Sequence, residues 1–315
     1  MEKTSRILIA GASGLVGSAI CRLLTSKGYH NVLVPRSAEL DLRNSAKVST
    51  YFHAYKPEFV FLCAAKVGGI LANKREPASF ILDNLKIQNS VIEWSHRARV
   101  EKLIFLGSSC IYPKDAKQPI KEEYLLTGQL EDTNRAYAIA KIAGIETCQA
   151  YNRQYGCNFV SVMPTNLYGP NDNFNLESSH LLPALIRKFE EAKANGHAPV
   201  TLWGTGQPFR ELLHVDDLAE ALLTIMNHYD GPEPINVGSG TDLRVSQIAE
   251  LVRYVVGHEG DIIWDKEKPD GTPRKLLETS KIRSLGWKPR IDLEDGVRHT
   301  WEWWNKAKQE NTVRI

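Results

Sequence analysis

The chain has 315 residues, a length that fits two domains or one large α/β domain with an addition. Its 39 Lys and Arg residues nearly balance its 37 Asp and Glu residues, and the net charge of +2 argues against a protein built to bind nucleic-acid phosphates. With 43% hydrophobic and 24% charged residues, the composition excludes a disordered chain.

The apolar runs and the cysteines lead to expectations about location. The longest wholly apolar run, Phe59–Ala65, is far shorter than the roughly 20 residues of a membrane-spanning helix, and the N-terminal residues do not resemble a signal peptide. The 5 cysteines are an odd number without a C-x-x-C pair, which disfavours a disulfide framework or a structural zinc. We therefore expect a cytoplasmic protein that binds no membrane, no nucleic acid and no metal.

The first half of the chain alternates short, almost continuously apolar runs with helix-period segments, the pattern of a parallel sheet covered by helices on both faces. The predicted strands are Arg6–Ala10, Asn31–Pro35, Phe59–Ala64, Lys102–Gly107 and Asn158–Met163. The predicted helices lie near Leu15–Ser26, Ser45–His53, Pro77–Ala98 and Ala136–Gln154. This order predicts an α/β fold with a doubly wound parallel sheet of the Rossmann type.

After Pro164 the pattern becomes less regular, with more turn residues. The predicted elements are a polar turn-rich segment, a helix, a strand, a loop and a last helix, at Thr165–Ser179, Leu181–Ala194, Val200–Trp203, Asp261–Arg274 and His299–Lys308. No single linker separates two halves. We expect residues 1–165 to form the dinucleotide-binding domain, and residues 166–315 to form mainly a smaller interleaved α/β substrate domain. Segments near 210–240 are expected to return to the first domain.

A glycine-rich segment follows the first predicted strand and opens a helix. Glycines at these positions allow a tight turn, a close approach of the backbone to a pyrophosphate, and close packing of helix on strand. The spacing is G-x-x-G-x-x-G, whereas simple dehydrogenases have G-x-G-x-x-G. The residues expected to hold the dinucleotide are Gly11, Ala12, Ser13, Gly14, Leu15, Val16 and Gly17.

The end of the second predicted strand bears on which nicotinamide cofactor is used. An acidic residue there would hold the 2′-hydroxyl of NAD, but the first acid after Val34 is Glu39. Arg36 and Ser37 could instead bind a 2′-phosphate. We therefore predict a preference for NADP(H); the alternative is that Arg36 is an ordinary solvated arginine.

Tyr137 and Lys141 begin a helical stretch, and their spacing of four places both side chains on one face. A neighbouring ammonium favours the phenolate and should lower the pKa of Tyr137. Ser108 follows the fourth predicted strand, where doubly wound sheets bind their ligands, so that it can bond a substrate carbonyl. Cys110 comes two residues later and could act as a base, the alternative being a small buried cysteine.

The glycine fingerprint, the strand-end serine and Y-x-x-x-K, in this order, resemble the extended short-chain dehydrogenase/reductases, most of which act on nucleotide sugars. Longer motifs are similar to those of the GDP-L-fucose synthase family, and together these features extend over essentially the whole chain. The motifs are Ala64–Ile70, Phe105–Lys114, Tyr137–Gly144, Ser161–Pro170, Arg210–Asp217 and Lys268–Lys275. One departure is Asn134-Arg135-Ala136, where relatives commonly carry an acid and a proline.

The resemblance implies epimerisation of GDP-4-keto-6-deoxy-D-mannose at C3 and C5, followed by NADPH-dependent reduction of the 4-keto group. Cys110 would be the base and His180 the acid on the opposite face, as inversion next to a ketone requires. Ser108 and Tyr137 would polarise the keto oxygen, and Tyr137 would finally protonate it. Lys141 would tune Tyr137 and hold the cofactor ribose. By itself His180, which precedes a helix, could be a surface or capping histidine, and the helix start would depress its pKa.

The resemblance also implies binding residues. Those expected to contact NADP(H), besides the glycine segment and Arg36 and Ser37, are Leu106, Gly107, Ser108, Ser109, Lys141, Pro164, Thr165, Asn166, Leu167 and His180. Those expected to hold the GDP-sugar are Lys188, Trp203, Arg210 and Asp270. Their structural alternatives are, in order, a solvated lysine, a core tryptophan, a surface pair with Glu211 and a turn aspartate. Relatives often form homodimers through the tyrosine-bearing helix, and we expect the same here.

Other functions remain open at this point. A nucleotide-sugar 4-epimerase or 4,6-dehydratase of the same superfamily would retain its NAD. Dehydratases typically have Asp-Glu where this chain has Ser109-Cys110, and a 4-epimerase would not need the Cys110–His180 pair. A non-catalytic NADP(H)-sensing protein often loses the tyrosine or the lysine, and both are present.

Overall fold

The computed structural model describes residues 1–268 and 270–313, so that Pro269, in the predicted loop, and the last two residues of the predicted second domain lie outside the described residues. The strands are β1 (Ile7–Ala10), β2 (Val32–Leu33), β3 (Phe59–Leu62), β4 (Lys102–Leu106), β5 (Phe159–Pro164), β6 (Asn166–Tyr168), β7 (Val200–Trp203), β8 (Phe209–His214), β9 (Ile235–Val237), β10 (Asp242–Arg244), β11 (Ile262–Asp265) and β12 (Arg274–Lys275). The α-helices are α1 (Leu15–Ser26), α2 (Ser45–Tyr55), α3 (Ile70–Arg75), α4 (Pro77–Arg97), α5 (Arg135–Tyr155), α6 (Leu181–Ala194), α7 (Val215–His228), α8 (Val245–Val256), α9 (Ser280–Ser284) and α10 (Leu293–Gln309). Short 3₁₀ helices cover Ser109–Ile111, Glu122–Tyr124 and Asp132–Asn134.

A 6-stranded sheet in the order β2-β1-β3-β4-β5-β9 forms the centre of the molecule. Every neighbouring pair in it is parallel. All residues of β1, β3, β4, β5 and β9 are buried, which explains why their sequences are almost continuously apolar. The predicted doubly wound α/β fold is confirmed.

The two faces of this sheet are covered by different helices because side chains alternate along a strand. Ile7 and Ile9 face a core that α1 and α7 close. Leu8 and Ala10 face the opposite core, which residues of α2, α4 and α5 close. The carboxyl ends of the strands meet at one edge of the sheet, where doubly wound folds bind their ligands.

A third core lies in the second half of the chain. It contains residues of α6, α8 and α10, with Phe174 and Phe189 fully buried. Nearby, β7 pairs with β11, and β8 pairs with β6, β10 and β12. Two later elements lie against the first half, since α7 packs on α1 and β9 extends the central sheet beside β5. The division of the chain at residue 165 stays a prediction.

The predicted and observed elements differ in a few places. The strand predicted over Asn31–Pro35 is limited to Val32–Leu33, and Val34 beyond it is 47% exposed. The prediction of a loop over Asp261–Arg274 is wrong in its first part, because Ile262–Asp265 pairs in parallel with β7 before the turn residues begin. Helix α3 was not predicted, since its first residues, Ile70 and Leu71, are exposed and no apolar face repeats. Within the described residues, no helix combines the length and apolarity needed to cross a membrane.

Candidate active site

Glycines shape the turn between β1 and α1. Gly11 has a φ of +96°, and a Cβ there would lie 2.7 Å from Ala64 N. A Cβ on Gly17 would overlap the Gly11 carbonyl oxygen, so α1 can start this close to β1 only with glycine at position 17. Gly14 precedes α1 without a side-chain cap, which leaves the first N–H groups of the helix available to an anion. The predicted segment Gly11–Gly17 therefore fits a pyrophosphate.

The other residues predicted to contact the cofactor lie at the same edge of the sheet. Arg36 and Ser37 are exposed just beyond β2, and Arg36 N donates to the Glu39 carboxylate at 3.1 Å. The remaining predicted contacts stand at or just beyond the ends of β4 and β5: Leu106, Gly107, Ser108, Ser109, Pro164, Thr165, Asn166 and Leu167. The sheet thus brings most of the predicted cofactor residues to one edge, whereas His180 comes from the second half of the chain.

Ser108, Cys110 and Tyr137 meet beyond the end of β4. Ser108 begins a short 3₁₀ turn, and its hydroxyl accepts a hydrogen bond from Cys110 N at 3.2 Å. Tyr137 lies in the first turn of α5, where burial raises the pKa of its phenol and the negative form of Cys110 raises it further. The Ser108 hydroxyl, within hydrogen-bonding reach of the phenol, opposes that shift. A hydroxyl pair and a thiol therefore share one small region.

The expectation that Lys141 lowers the pKa of Tyr137 is wrong for this structure. Lys141 is buried, and its Nζ donates to the Leu106 carbonyl oxygen at 2.7 Å while lying 5.8 Å from the centre of the Tyr137 ring. Burial lowers the pKa of Lys141 to about 8, which means that its ammonium form is less favoured than that of an exposed lysine. Burial has the largest effect on the pKa of Tyr137, which is a neutral phenol at neutral pH.

His180 occupies the position immediately before α6, as the sequence predicts. His180 is exposed to solvent, although desolvation by the surrounding protein lowers its pKa. The segment before it is fixed against the loop after β3, because Gly69 N donates to the Ser178 carbonyl oxygen at 2.8 Å. Within the described residues, no hydrogen bond joins His180 to Cys110, and their roles as acid and base stay predictions.

The residues predicted to grip the substrate lie around β7 and β8. Lys188 Nζ donates to the Thr201 carbonyl oxygen at 3.0 Å, and Trp203, two residues further along β7, is 51% exposed. The alternative of a core tryptophan is therefore wrong. Burial lowers the pKa of Lys188, because desolvation disfavours its ammonium form; an anion bound beside it would offset this.

Arg210 and Asp270 meet on the neighbouring segment. The Arg210 guanidinium donates to the Thr272 carbonyl oxygen at 2.7 Å and to the Asp270 carbonyl oxygen at 3.4 Å. Glu211 is fully buried and accepts hydrogen bonds from backbone N–H groups, so a surface pair of Arg210 with Glu211 is excluded. Thr205 donates to the Asp270 carboxylate through its backbone and its hydroxyl, which lowers the pKa of Asp270.

His214, Asp216 and His299 offer ligand atoms that all lie within 4.8 Å of one another, a spacing that could hold a metal ion. Two of these residues also bind groups of the protein itself, since His214 Nδ1 accepts a hydrogen bond from Asp216 N and the Asp216 carboxylate pairs with Arg22. The cluster lies at the start of α7, where His214 is the capping residue. The absence of a metal cofactor stays a prediction.

Sequence reasoning gave no role to two residues that the structure places beside predicted site residues. Thr205 fixes the Asp270 carboxylate, as described above. Lys275 Nζ lies 3.8 Å from Cys110 Sγ, although the two residues are 165 positions apart in the chain. The only sequence signal for Lys275 was its position at the end of the motif that begins at Lys268.

Comparisons with known proteins agree with this arrangement. The profile of the NAD dependent epimerase/dehydratase family matches residues 7–238. GDP-L-fucose synthase 1 of Arabidopsis thaliana is 56% identical over 305 residues, covering 97% of this chain and 94% of that protein. GDP-L-fucose synthase of Escherichia coli is 48% identical over 307 residues, covering 95% and 96%.

A solved structure gives the same result at the level of the fold. It is the GDP-L-fucose synthetase of Naegleria fowleri bound to NADP, with a TM-score of 0.92 and 29% identity, and the match covers 100% of this chain and 98% of that one. The matches extend over nearly the full length of this chain and of each of these relatives. The chain belongs to the NAD dependent epimerase/dehydratase family and, within it, to the GDP-L-fucose synthases.

Proposed function

We propose that the protein converts GDP-4-keto-6-deoxy-D-mannose to GDP-L-fucose, by epimerisation at C3 and C5 followed by NADPH-dependent reduction at C4. One observation carries this proposal: the Cys110 thiol lies beside the Ser108–Tyr137 pair, so a base and the groups that polarise a ketone share one cleft. The relatives named above support it over nearly their whole length.

Epimerisation needs a base and an acid on opposite faces of the sugar. Cys110, as the thiolate, removes the proton from C3 or C5, and the electron pair of the C–H bond moves towards the keto oxygen. Ser108 and Tyr137 donate hydrogen bonds to that oxygen and stabilise the enolate. His180, from the segment before α6, returns a proton to the other face. Desolvation lowers the pKa of His180, and a negatively charged substrate diphosphate nearby would favour its protonated form.

Reduction follows in the same cleft. NADPH, held by the Gly11–Gly17 turn and the ends of β4 and β5, supplies the hydride when bound. Tyr137 is a neutral phenol, so it can give its proton to the keto oxygen at this step. Lys141 is buried next to the Leu106 carbonyl, near the strand end where the cofactor ribose is expected, and it holds that ribose.

The nucleotide half of the substrate is held by the second region of the chain. Trp203 offers an exposed aromatic face, with Lys268 Nζ 5.9 Å from the centre of its ring. Lys188 and Arg210 supply cations for the diphosphate, and Asp270, fixed by Thr205, can accept hydrogen bonds from the guanosine portion. A few placed cations thus suffice, in keeping with the net charge of +2.

Location and assembly complete the proposal. We place the protein in the cytoplasm, where its 5 cysteines, all free, would stay reduced. We also propose a homodimer that pairs through α4 and α5. Leu82 on α4 and Ile139 and Tyr155 on α5 are exposed apolar side chains that such an interface would cover.

The test of this function is a complete reaction with the full-length protein. Incubation with NADPH and GDP-4-keto-6-deoxy-D-mannose should consume one NADPH per sugar and yield GDP-L-fucose, identified by the stereochemistry at C3, C4 and C5. A 4-epimerase or 4,6-dehydratase would show no net consumption, and a cofactor-sensing protein would show no turnover. A product reduced at C4 without inversion at C3 and C5, or no product, would overturn the proposal.

A further inference from the structure

Lys275 has no part in the mechanism above, yet its ammonium group points at the proposed base. Its Nζ lies 3.8 Å from Cys110 Sγ, in a partly buried position. The ion pairs formed among the described residues do not include Lys275, so no carboxylate there neutralises its charge. A lysine near a thiol and without an acidic partner is an arrangement that favours the thiolate.

The position of Lys275 is fixed by its backbone. It pairs in register with Arg210 of β8. The residues around it are anchored on both sides: Arg274 forms an ion pair with Asp242 at 2.6 Å, and Leu276 N donates to the Gln118 side chain at 2.8 Å. The chain therefore holds the ammonium group at the sulfur from a rigid segment, which also carries Asp270 a few residues earlier.

Residues from three different elements lie close to Cys110. Ser108, at the end of β4, is neutral and accepts a hydrogen bond from Cys110 N. Tyr137, on α5, is kept neutral because burial raises its pKa, and its phenolate would repel a thiolate. Lys275, on β12, is the group that brings a positive charge to the sulfur.

We propose that Lys275 is a positioning residue for the base, whose ammonium group pairs with the Cys110 thiolate and keeps it ready to remove the C3 and C5 protons. This inference rests on the proposed function, in which Cys110 is that base. In each inversion the C–H bond breaks, its electron pair enters the enolate, and an S–H bond forms. His180 then protonates the opposite face and regains a proton from water, the thiol returns its proton to water, and Lys275 again faces a thiolate.

The reactivity of Cys110 tests this pairing without any substrate. The full-length protein is treated with iodoacetamide over a series of pH values, and alkylation of the Cys110 peptide is followed by mass spectrometry. In Lys275→Met the pH midpoint should rise by about one unit or more, which makes alkylation at neutral pH about tenfold slower. Lys275→Arg keeps the charge and should follow the wild type.

Matched variants separate charge from structure. Lys117→Met removes an exposed ammonium from the loop that follows Cys110 and should leave the profile unchanged. Lys275→Gln is the second neutral variant, used if Lys275→Met folds poorly. A Lys275→Met profile that coincides with the wild type would overturn the inference. Slowing by the same factor at every pH would also overturn it, because that result indicates altered access to the thiol.

A second readout concerns catalysis. When the wild type forms GDP-L-fucose, Lys275→Met should slow solvent-deuterium exchange at C3 and C5 about tenfold at neutral pH, with the loss shrinking as pH rises and with KM unchanged. If the wild type forms no GDP-L-fucose, the proposed function has failed, and the alkylation profile still decides the pairing of Lys275 with Cys110. A raised KM with unchanged exchange would assign Lys275 to substrate binding and reject the pairing.

Discussion

At the scale of single residues, Tyr137 shows how burial decides a role. Its sequence spacing to Lys141 suggests an activated phenolate, but in the structure burial raises its pKa and Lys141 is bonded to the Leu106 carbonyl. A neutral phenol is a proton donor, which is what both the enolate and the final reduction require. We therefore propose that Tyr137 acts as an acid throughout and that Cys110 removes the protons.

This assignment predicts a split effect for Tyr137→Phe. Reduction at C4 should fall by about 10²–10⁴-fold, because the proton donor for the keto oxygen is lost. Deuterium exchange at C3 and C5 should fall less, since Ser108 still polarises that oxygen. NADPH oxidation and mass spectrometry of the recovered sugar measure the two steps. Tyr254→Phe, at a site that is 69% exposed, is the matched control, and equal losses in both steps would contradict the assignment.

At the scale of secondary-structure elements, the start of α1 depends on Gly17. A Cβ there would overlap the Gly11 carbonyl oxygen, whereas a Cβ on Gly14 would lie 3.4 Å from the same atom, an ordinary contact. Gly17→Ala should therefore lower the free energy of unfolding by about 1–3 kcal/mol, as overpacking does. Gly14→Ala, with an extended backbone, should change it little. Urea denaturation without cofactor compares the two, and equal losses would show that the contact at position 17 is not the cause.

The start of α7 predicts a pH dependence of stability. His214 caps this helix through Nδ1, and burial lowers its pKa to about 4, below the value of about 6.5 expected for the unfolded chain. Between these two pKa values the unfolded chain binds more protons than the folded protein. The contribution of the neutral His214 to the free energy of unfolding is therefore lost as pH falls from 6.5 towards 4.

The matched variant is His214→Asn, which can cap a helix but does not titrate. Between pH 6.5 and 5, unfolding free energies measured in urea should fall by about 2 kcal/mol more for the wild type than for the variant. Glu211 and Asp217, whose pKa values are raised by burial, act in the opposite direction, but they are common to both proteins and cancel in the comparison. Parallel curves would show that His214 does not titrate in this range.

At the scale of the whole molecule, the sequence predicted the central sheet, the glycine turn and the Ser108, Cys110 and Tyr137 group, because each is a local pattern at a strand end or helix start. The sequence alone could not predict contacts between segments that are distant along the chain. Lys275 meets Cys110 only because β12 pairs with β8 across the cleft, and the buried Glu211 reads in the sequence as a surface acid. The desolvation that governs Tyr137 likewise depends on the folded surroundings.

The length of the chain can be understood from what each half of it supplies. In the proposed mechanism, the sheet edge supplies the cofactor site and the base, while the second half supplies His180 and the residues around Trp203 that are proposed to hold the nucleotide. Elements α7 and β9 return to the first half, where α7 packs on α1 and β9 pairs with β5. On this proposal a reductase alone would need only the first part, and epimerisation adds a proton donor from the second part.

The central claim is that Cys110 is the base for epimerisation, and Cys110→Ser tests it most directly. The variant and the wild type are incubated with the keto sugar in deuterated water, and label at C3 and C5 is followed by mass spectrometry, with Cys157→Ser as the matched control. Exchange should fall by at least about 100-fold in Cys110→Ser, since a hydroxyl is a far weaker base at neutral pH, and stay unchanged in Cys157→Ser. Exchange at the full wild-type rate in Cys110→Ser would contradict the account.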